Sequence, residues 1–105
     1  SVWNPFENDE VTTMNYRNSM QITADLLEIT KNSGNDGIRT TLLIQKANLS
    51  HSRLQKFIFN LSNSGLVTQF KSERGVVHVI TPKGMLFLDE YSKFYEFANS
   101  YGLEL

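Results

Sequence analysis

The stretch from residue 40 to residue 63 reads TTLLIQKANLSHSRLQKFIFNLSN, and it predicts two helices separated by a tight break. Thr40 or Thr41 can cap the first helix, and Ser50 is placed to cap the second. The break falls at Asn48-Leu49. Four apolar residues of the second helix recur at helical spacing and define one core-facing stripe: Leu54, Phe57, Ile58 and Leu61.

The pattern becomes extended after this pair of helices. Two runs rich in β-branched and aromatic residues, 66–71 and 76–80, flank a four-residue connection at 72–75, which predicts a β-hairpin. Thr81-Pro82 then supplies a cap and a proline at the first position of a last helix, which runs to about Tyr101. At ~1.5 Å per residue this helix is about 30 Å long, more than a domain of this size needs to cover its own core.

A further helix is predicted upstream of the quoted stretch. Residues 19–31 repeat apolar side chains at helical spacing, with Ile22, Leu26 and Ile29 on one face. The polar, glycine-containing cluster at 32–37 ends this helix. The complete order is therefore helix, short helix, tight break, helix, hairpin and long helix.

That order is the order of a winged helix-turn-helix, an α+β fold with three helices and a hairpin wing, in which the third helix enters the DNA major groove. Particular residues add to the pattern: the run from Ile44 to Lys56, then Asn60-Leu61 with Gly65-Leu66, and the run from Ile80 to Gly84 followed by Phe87-Leu88. With these motifs the chain resembles the small archaeal winged-helix DNA-binding proteins of chromatin and regulator type, which dimerise through a long C-terminal helix. The resemblance covers about residues 16–103 and implies a homodimer that binds double-stranded DNA.

Three segments are expected along the chain. Residues 1–15 show no sustained periodicity, and we expect a flexible N-terminal arm. Residues 16–84 form the predicted winged helix-turn-helix domain, and residues 85–105 form the predicted dimerisation helix.

The net charge of −1 hides an uneven distribution of charge. Residues 1–37 carry two basic and six acidic residues, residues 38–84 carry seven and one, and residues 85–105 carry one and four. The three blocks therefore have charges of −4, +6 and −3. Because local potential attracts a polyanion, the basic middle block favours a nucleic-acid partner. The alternative is a solvated surface whose charges happen to cluster.

The polar side of the third helix carries the candidate DNA-reading residues. Arg53 can make a bidentate contact to guanine and Gln55 to adenine, whereas the other polar residues of the first two turns suit phosphates. The candidates of this helix are Ser50, His51, Ser52, Arg53, Gln55 and Lys56. Phe59 lies on the same side, either packed under the hairpin or the arm, or in contact with a thymine methyl group or a partner protein.

The hairpin tip and its flanks extend this candidate surface. Lys71, Ser72 and Arg74 can lie along phosphates or in the minor groove, provided that Glu73 points away from the DNA. Two further basic residues, Arg39 and Lys46, are expected to contact phosphates. For any one of these residues the alternative is a solubilising surface charge.

The last helix carries apolar residues at the alternating spacing of a coiled-coil seam. The predicted dimer interface comprises Phe87, Tyr91, Phe94, Tyr95, Ala98 and Tyr101. Met85 and Leu86 are expected to pack back on the core instead. The alternative to a dimer is that this helix folds over the first helix and the arm of its own chain.

Several classes of function have no support in the sequence. The chain has no cysteine, no nucleotide-binding glycine motif and no metal-ligand spacing around His51 or His78, and we expect His78 to be exposed. We therefore predict no enzyme activity, no metal and no cofactor, and nothing indicates a small-molecule effector. No run approaches the ~20 apolar residues of a membrane span, so we expect a cytoplasmic, nucleoid-associated protein.

The sequence thus predicts a homodimeric DNA-binding transcription regulator or nucleoid-associated protein. The alternative, from another class, is a winged-helix module that binds protein and not DNA.

Overall fold

The computed structural model describes residues 17–103 as four α-helices and a three-stranded antiparallel sheet. The helices are α1 (Ser19–Asn32), α2 (Thr40–Ala47), α3 (His51–Asn63) and α4 (Pro82–Ser100). The strands are β1 (Ile38–Arg39), β2 (Val67–Ser72) and β3 (Gly75–Ile80), in the order β1-β3-β2. The predicted α+β winged-helix architecture is confirmed, and the predicted arm lies outside the described residues.

Helix α1 begins where its sequence offers a reciprocal cap. The side-chain oxygen of Asn18 accepts a hydrogen bond from the Gln21 N–H at 2.8 Å, and Gln21 Oε1 accepts one from the Asn18 N–H at 3.0 Å. Such a capping box satisfies backbone donors that have no partner inside the helix. The helix then buries Ile22 and Leu26 in the core, as predicted.

The break between α2 and α3 depends on one residue in the left-handed region. Asn48 has φ 57° and ψ 49°, and its N–H donates to the carbonyl oxygen of Ile44 at 3.0 Å. Asparagine tolerates this conformation better than most residues, so the chain reverses here at low cost. Ser50 then caps α3 as predicted, because its Oγ accepts from the Arg53 N–H at 3.2 Å.

The predicted cap of α2 by Thr40 or Thr41 is wrong. The capping position is Arg39, whose side chain makes no capping hydrogen bond. Arg39 belongs to β1, where pairing with Val77 of β3 holds it extended, and the helix starts at Thr40, one residue earlier than a Thr40 cap requires. The Thr40 hydroxyl is instead used inside the fold, next to His78.

The hairpin is tighter than predicted. Ser72 pairs with Gly75 across the strands, so only two residues form the turn and not four. The Ser72 hydroxyl donates to the Gly75 carbonyl oxygen at 2.9 Å and accepts from the Arg74 N–H at 3.2 Å. These two bonds, with Gly75 at φ 111°, close the strands down to the last pair.

Helix α4 starts against the base of the hairpin. The Thr81 hydroxyl caps it by accepting from the Gly84 N–H at 2.9 Å, and it donates to the Gly65 carbonyl oxygen at 2.7 Å. Gly84 is buried, and a Cβ at this position would overlap the carbonyl oxygen of Leu66. Helix and loop therefore meet backbone to backbone.

The core lies where α1, α2 and α3 meet the sheet. It includes Leu26, Leu43, Leu54 and Ile80, and α4 adds Leu88. The expected packing of Met85 and Leu86 on this core is wrong, since both side chains are exposed, Leu86 by 60%. Successive residues of a helix are rotated by about 100°, so when Gly84 and Leu88 face the core, Met85 and Leu86 face away from it.

Arg17 joins the start of the described chain to the end of α2. Its Nη1 lies 2.5 Å from Asp25 Oδ2 in α1, and its Nη2 donates to the carbonyl oxygen of Ala47 at 2.6 Å. Because Ala47 is the last residue of α2, this contact holds the helix pair against α1.

Candidate nucleic-acid interface

The outer face of α3 forms the centre of the candidate interface. Leu54, Ile58 and Leu61 anchor the helix in the core. All six residues predicted from this helix are exposed: Ser50, His51, Ser52, Arg53, Gln55 and Lys56. The first two turns of α3 therefore present hydrogen-bond donors and acceptors to solvent at every position except Leu54 and Phe57.

Two contacts along α3 organise these side chains. The guanidinium carbon of Arg53 lies 5.8 Å from the ring centroid of Phe57, a cation–π arrangement. The Gln55 amide nitrogen lies 3.4 Å from His51 Nε2. Phe57 is itself half-buried on the core, as the predicted stripe requires, so it gives the exposed arginine a fixed support.

The wing presents the second group of predicted residues. Lys71, Ser72, Glu73 and Arg74 are all exposed at the tip, with the acidic side chain between basic neighbours. Ser72 is used within the turn, where its hydroxyl bonds the backbone of Arg74 and Gly75. The two cationic side chains, Lys71 and Arg74, are the groups that the tip can offer to phosphate oxygens.

The two flanking basic residues lie on different elements. Arg39 is exposed on β1, opposite Val77 of the wing, and thus belongs to the sheet side of the surface. Lys46 is exposed in the last turn of α2, just before the tight break. Arg39 thus lies beside the wing in the sheet. Lys46 precedes α3 in the sequence.

A cleft of about 390 Å³ separates α3 from the wing. Gln55, Phe59 and Val76 are among the residues that line it, and Phe59 remains 64% exposed. The interpretation in which the hairpin covers Phe59 is therefore wrong, because the wing stands away from α3 at this point. Contact with the arm concerns residues outside the described range.

A chain of polar side chains lies at the bottom of this cleft. His78 Nε2 is 2.9 Å from Thr40 Oγ1, and His78 Nδ1 is 3.2 Å from the Gln69 amide nitrogen. Gln69 Oε1 accepts from the Ser62 hydroxyl at 2.6 Å. The chain thus links α2, β3, β2 and α3 in one sequence of contacts.

His78 is not the exposed hairpin residue that we expected. It is only 4% exposed, because β1 pairs alongside it and because it lies on the core side of the sheet. Burial lowers the pKa of the His78 imidazole, since the charged form loses its hydration there. Sequence reasoning missed this residue because its two polar partners, Thr40 and Gln69, come from two other elements, α2 and β2.

The predicted dimer residues of α4 fall into two groups. Phe87 and Tyr91 pack against the core of their own chain and Ala98 is buried, whereas Phe94, Tyr95 and Tyr101 are exposed. Burial raises the pKa of the Tyr91 hydroxyl, and Tyr95 and Asp25 add to the rise. The predicted seam is therefore used in part by the chain itself.

An exposed apolar stripe remains on α4, and it differs from the predicted seam. We call this set the outer stripe: Leu86, Phe94, Phe97 and Tyr101. At 3.6 residues per turn these four residues span about 80° of the helix circumference. Phe97 and Tyr101 already contact each other edge to face, with ring centroids 5.0 Å apart.

Among residues 17–103, no three histidine, cysteine or acidic side chains gather closely enough to hold a metal ion. No helix in this same part of the chain combines the length and the apolar character that a membrane span requires.

Comparisons with known proteins agree with this geometry. The model of a family described as winged helix-turn-helix matches residues 16–99. A search of curated proteins finds no match.

Among solved structures, the chain is similar to Sso10a-2, a DNA-binding protein from Sulfolobus solfataricus, with 21% identity, a TM-score of 0.68, and coverage of 81% of this chain and 85% of that one. It is similar to the transcriptional regulator BldR of the same organism, with 20% identity, a TM-score of 0.61, and coverage of 88% and 68%. A MepR variant from S. aureus, bound to an oligodeoxyribonucleotide, has 11% identity, a TM-score of 0.67, and coverage of 87% and 66%. At these identities the likeness concerns the fold.

Proposed function

The chain belongs to the winged helix-turn-helix family, and from this membership we propose that it binds double-stranded DNA as a transcription regulator. The observation that carries the proposal is the outer face of α3, where five of the first six residues, all except the anchoring Leu54, are polar or basic and open to solvent. Sso10a-2 is described as a DNA-binding protein, BldR as a transcriptional regulator, and the MepR variant contains an oligonucleotide, which supports the same partner.

Helix α3 is proposed to enter the major groove with its first two turns. Arg53 would donate two hydrogen bonds to guanine O6 and N7, and Gln55 would pair with adenine N6 and N7. Ser50, His51 and Lys56 would hold phosphates near the helix N-terminus, where unpaired N–H groups favour anions. Base reading and backbone anchoring would thus come from one helix.

The wing and its flanks are proposed to contact the sugar-phosphate backbone. Lys71 and Arg74 at the tip, with Arg39 and Lys46 beside the helix pair, are exposed cations without acidic partners among the described ion pairs. Their contribution would depend strongly on salt and little on base sequence.

The homodimer is proposed to form through the outer stripe of α4. Phe97 and Tyr101 are 62% and 70% exposed. Adjacent exposed aromatic side chains form an apolar patch of the kind that marks an interface. Pairing two such helices about a two-fold axis would bury the stripe and bring two α3 helices to successive major grooves, about 34 Å apart. Such a dimer would act at the chromosome, in the nucleoid.

The test is the affinity for duplex DNA as the salt concentration rises. We expect the logarithm of the binding constant to fall linearly with the logarithm of salt concentration, because each neutralised phosphate releases counterions. Lys56→Ala should reduce the slope by about 1, whereas the matched variant Lys93→Ala on α4 should leave it unchanged. A folded protein that binds no duplex at about 50 mM salt would rule out the proposal.

One observation favours a second candidate, a module that binds protein. Phe59 on α3 and Phe70 on β2 are both more than half exposed, which is uncommon for phenylalanine on a surface meant only for water. Failure to bind DNA at low salt, together with an intact fold, would support this second function.

A further inference from the structure

The wing changes from buried to exposed at one pair of residues. Gln69 and His78 face each other across β2 and β3. Toward the base, the pair Val67–Ile80 is buried, and toward the tip, the pair Lys71–Val76 is exposed. Strand β1 ends beside Val77, so the sheet narrows there from three strands to two. The Gln69–His78 pair therefore marks the boundary between the held and the free part of the wing.

Polar contacts cross from this boundary to both helices of the helix pair. Ser62 of α3 donates to Gln69, and Thr40 of α2 contacts His78. Among the side-chain hydrogen bonds of residues 17–103, the Ser62–Gln69 bond alone joins α3 to the hairpin. We call the chain Ser62–Gln69–His78–Thr40 the relay.

The directions of the hydrogen bonds in the relay are fixed by its first donor. Because Gln69 Oε1 accepts from Ser62, the amide nitrogen faces His78 Nδ1 and must donate to it. Nδ1 therefore carries the lone pair, and the ring proton resides on Nε2, where it can be donated to Thr40 Oγ1. A neutral imidazole satisfies every contact of the relay.

We propose that Gln69 and His78 are positioning residues, which set the angle between the wing and α3 so that both can contact one DNA duplex. This inference rests on the proposed function. From His78 to the tip is four residues, about 13 Å at ~3.3 Å per residue. A rotation of about 10° at the boundary would thus move Arg74 by ~2 Å, enough to break a hydrogen bond to a phosphate.

A double-mutant cycle separates positioning from mere stability. Gln69→Met removes the relay but keeps the length of the side chain, and Lys71→Ala with Arg74→Ala removes the tip cations. Affinity is measured for a duplex that the wild type selects from a random pool. In the wild-type background we expect the two tip substitutions to weaken DNA binding roughly tenfold. In the Gln69→Met background the same two substitutions should weaken it less than about twofold.

The control of the cycle is Arg53→Ala, made in both backgrounds. Its cost should be the same with and without the relay, because α3 keeps its own anchor in the core. Equal cost of the tip substitutions in both backgrounds would overturn the proposal. If Gln69→Met does not fold, Ser62→Ala takes its place in the same cycle, because it removes only the hydrogen bond from Ser62 to Gln69.

A second measurement does not depend on DNA. Nitrogen NMR of the His78 ring should show one tautomer, with the proton on Nε2, and Gln69→Met should convert it to a mixture and speed amide exchange at residues 71–76. A mixture of tautomers in the wild type would overturn the relay itself. If the wild type binds no duplex while the single tautomer is present, the proposed function fails and the relay stands.

Discussion

The guanidinium carbon of Arg53 lies 5.8 Å from the centre of the Phe57 ring, one turn further along α3. Phe57 is held on the core, so the arginine is supported before any DNA arrives. A supported side chain loses less conformational freedom on binding, which favours a specific contact over a general one. Arg53 is accordingly the residue that we expect to read a base.

Replacement of Arg53 by lysine should relax sequence preference. Lysine keeps the charge but cannot make the two parallel hydrogen bonds that select guanine, so the preferred duplex should lose about 1–3 kcal/mol of binding free energy. Selection from a random duplex pool measures this directly, with Lys56→Arg as the matched control on the same face. Unchanged preference in Arg53→Lys would contradict the assignment.

Gly84→Ala should destabilise the domain. The added methyl group would overlap the carbonyl oxygen of Leu66, which belongs to backbone and cannot move aside alone. Overpacking of this kind costs typically about 1–3 kcal/mol of unfolding free energy. Thermal unfolding of Gly84→Ala and of Glu96→Ala, an exposed position of the same helix, gives the comparison. Equal melting temperatures would show that the helix shifts freely.

The stability of the domain should fall as the pH is lowered from about 6.5. Burial lowers the pKa of His78 below its ordinary value of 6.5, so on acidification the unfolded chain takes up a proton that the folded chain resists. Well above pH 6.5 the imidazole is neutral in both states and contributes no pH dependence.

Urea unfolding between about pH 5 and pH 7 tests this expectation, since the slope from one such group is at most ~1.4 kcal/mol per pH unit. His78→Gln should flatten the curve in this range, because it removes the buried imidazole. Identical curves for the wild type and His78→Gln would exclude His78 as the source.

A charge in the outer stripe should separate the proposed dimer. Phe97→Glu would place a carboxylate among the paired aromatic rings, whereas Asn99→Glu places the same charge on another face of α4. Sedimentation equilibrium at micromolar concentration should give a monomer for the first and a dimer for the second. A monomeric wild type would remove the basis of the proposal.

The sequence predicted those elements whose signals are local. The caps at Ser50 and Thr81, the helical stripe of α3 and the break at Asn48 each depend on residues a few positions apart, and the structure agrees with all of them. Strand β1 was missed because two residues carry no periodicity. Its extension comes from pairing with β3, almost 40 residues later in the chain.

The seam of α4 illustrates a different limit. Spacing identified Phe87, Tyr91 and Phe94 as one apolar row, but periodicity does not distinguish a partner in the same chain from one in another chain. The position of Gly84 against Leu66 decides it, because this contact turns Phe87 and Tyr91 toward their own core. The exposed residues form the outer stripe, which contains Phe97 and lacks Phe87 and Tyr91.

The tight contact of Gly84 with the carbonyl oxygen of Leu66 fixes the start of α4 at the base of the wing. A change in this contact would tilt the rest of the helix. Leu66 lies in the connection between α3 and β2, so the two elements proposed to contact DNA are joined next to the start of the long helix. From Gly84 to Ser100 the helix is about 24 Å long at ~1.5 Å per residue, so a tilt of one degree at Gly84 displaces Ser100 by ~0.4 Å. In the proposed dimer, the packing of Gly84 against Leu66 would therefore influence the distance between the two α3 helices.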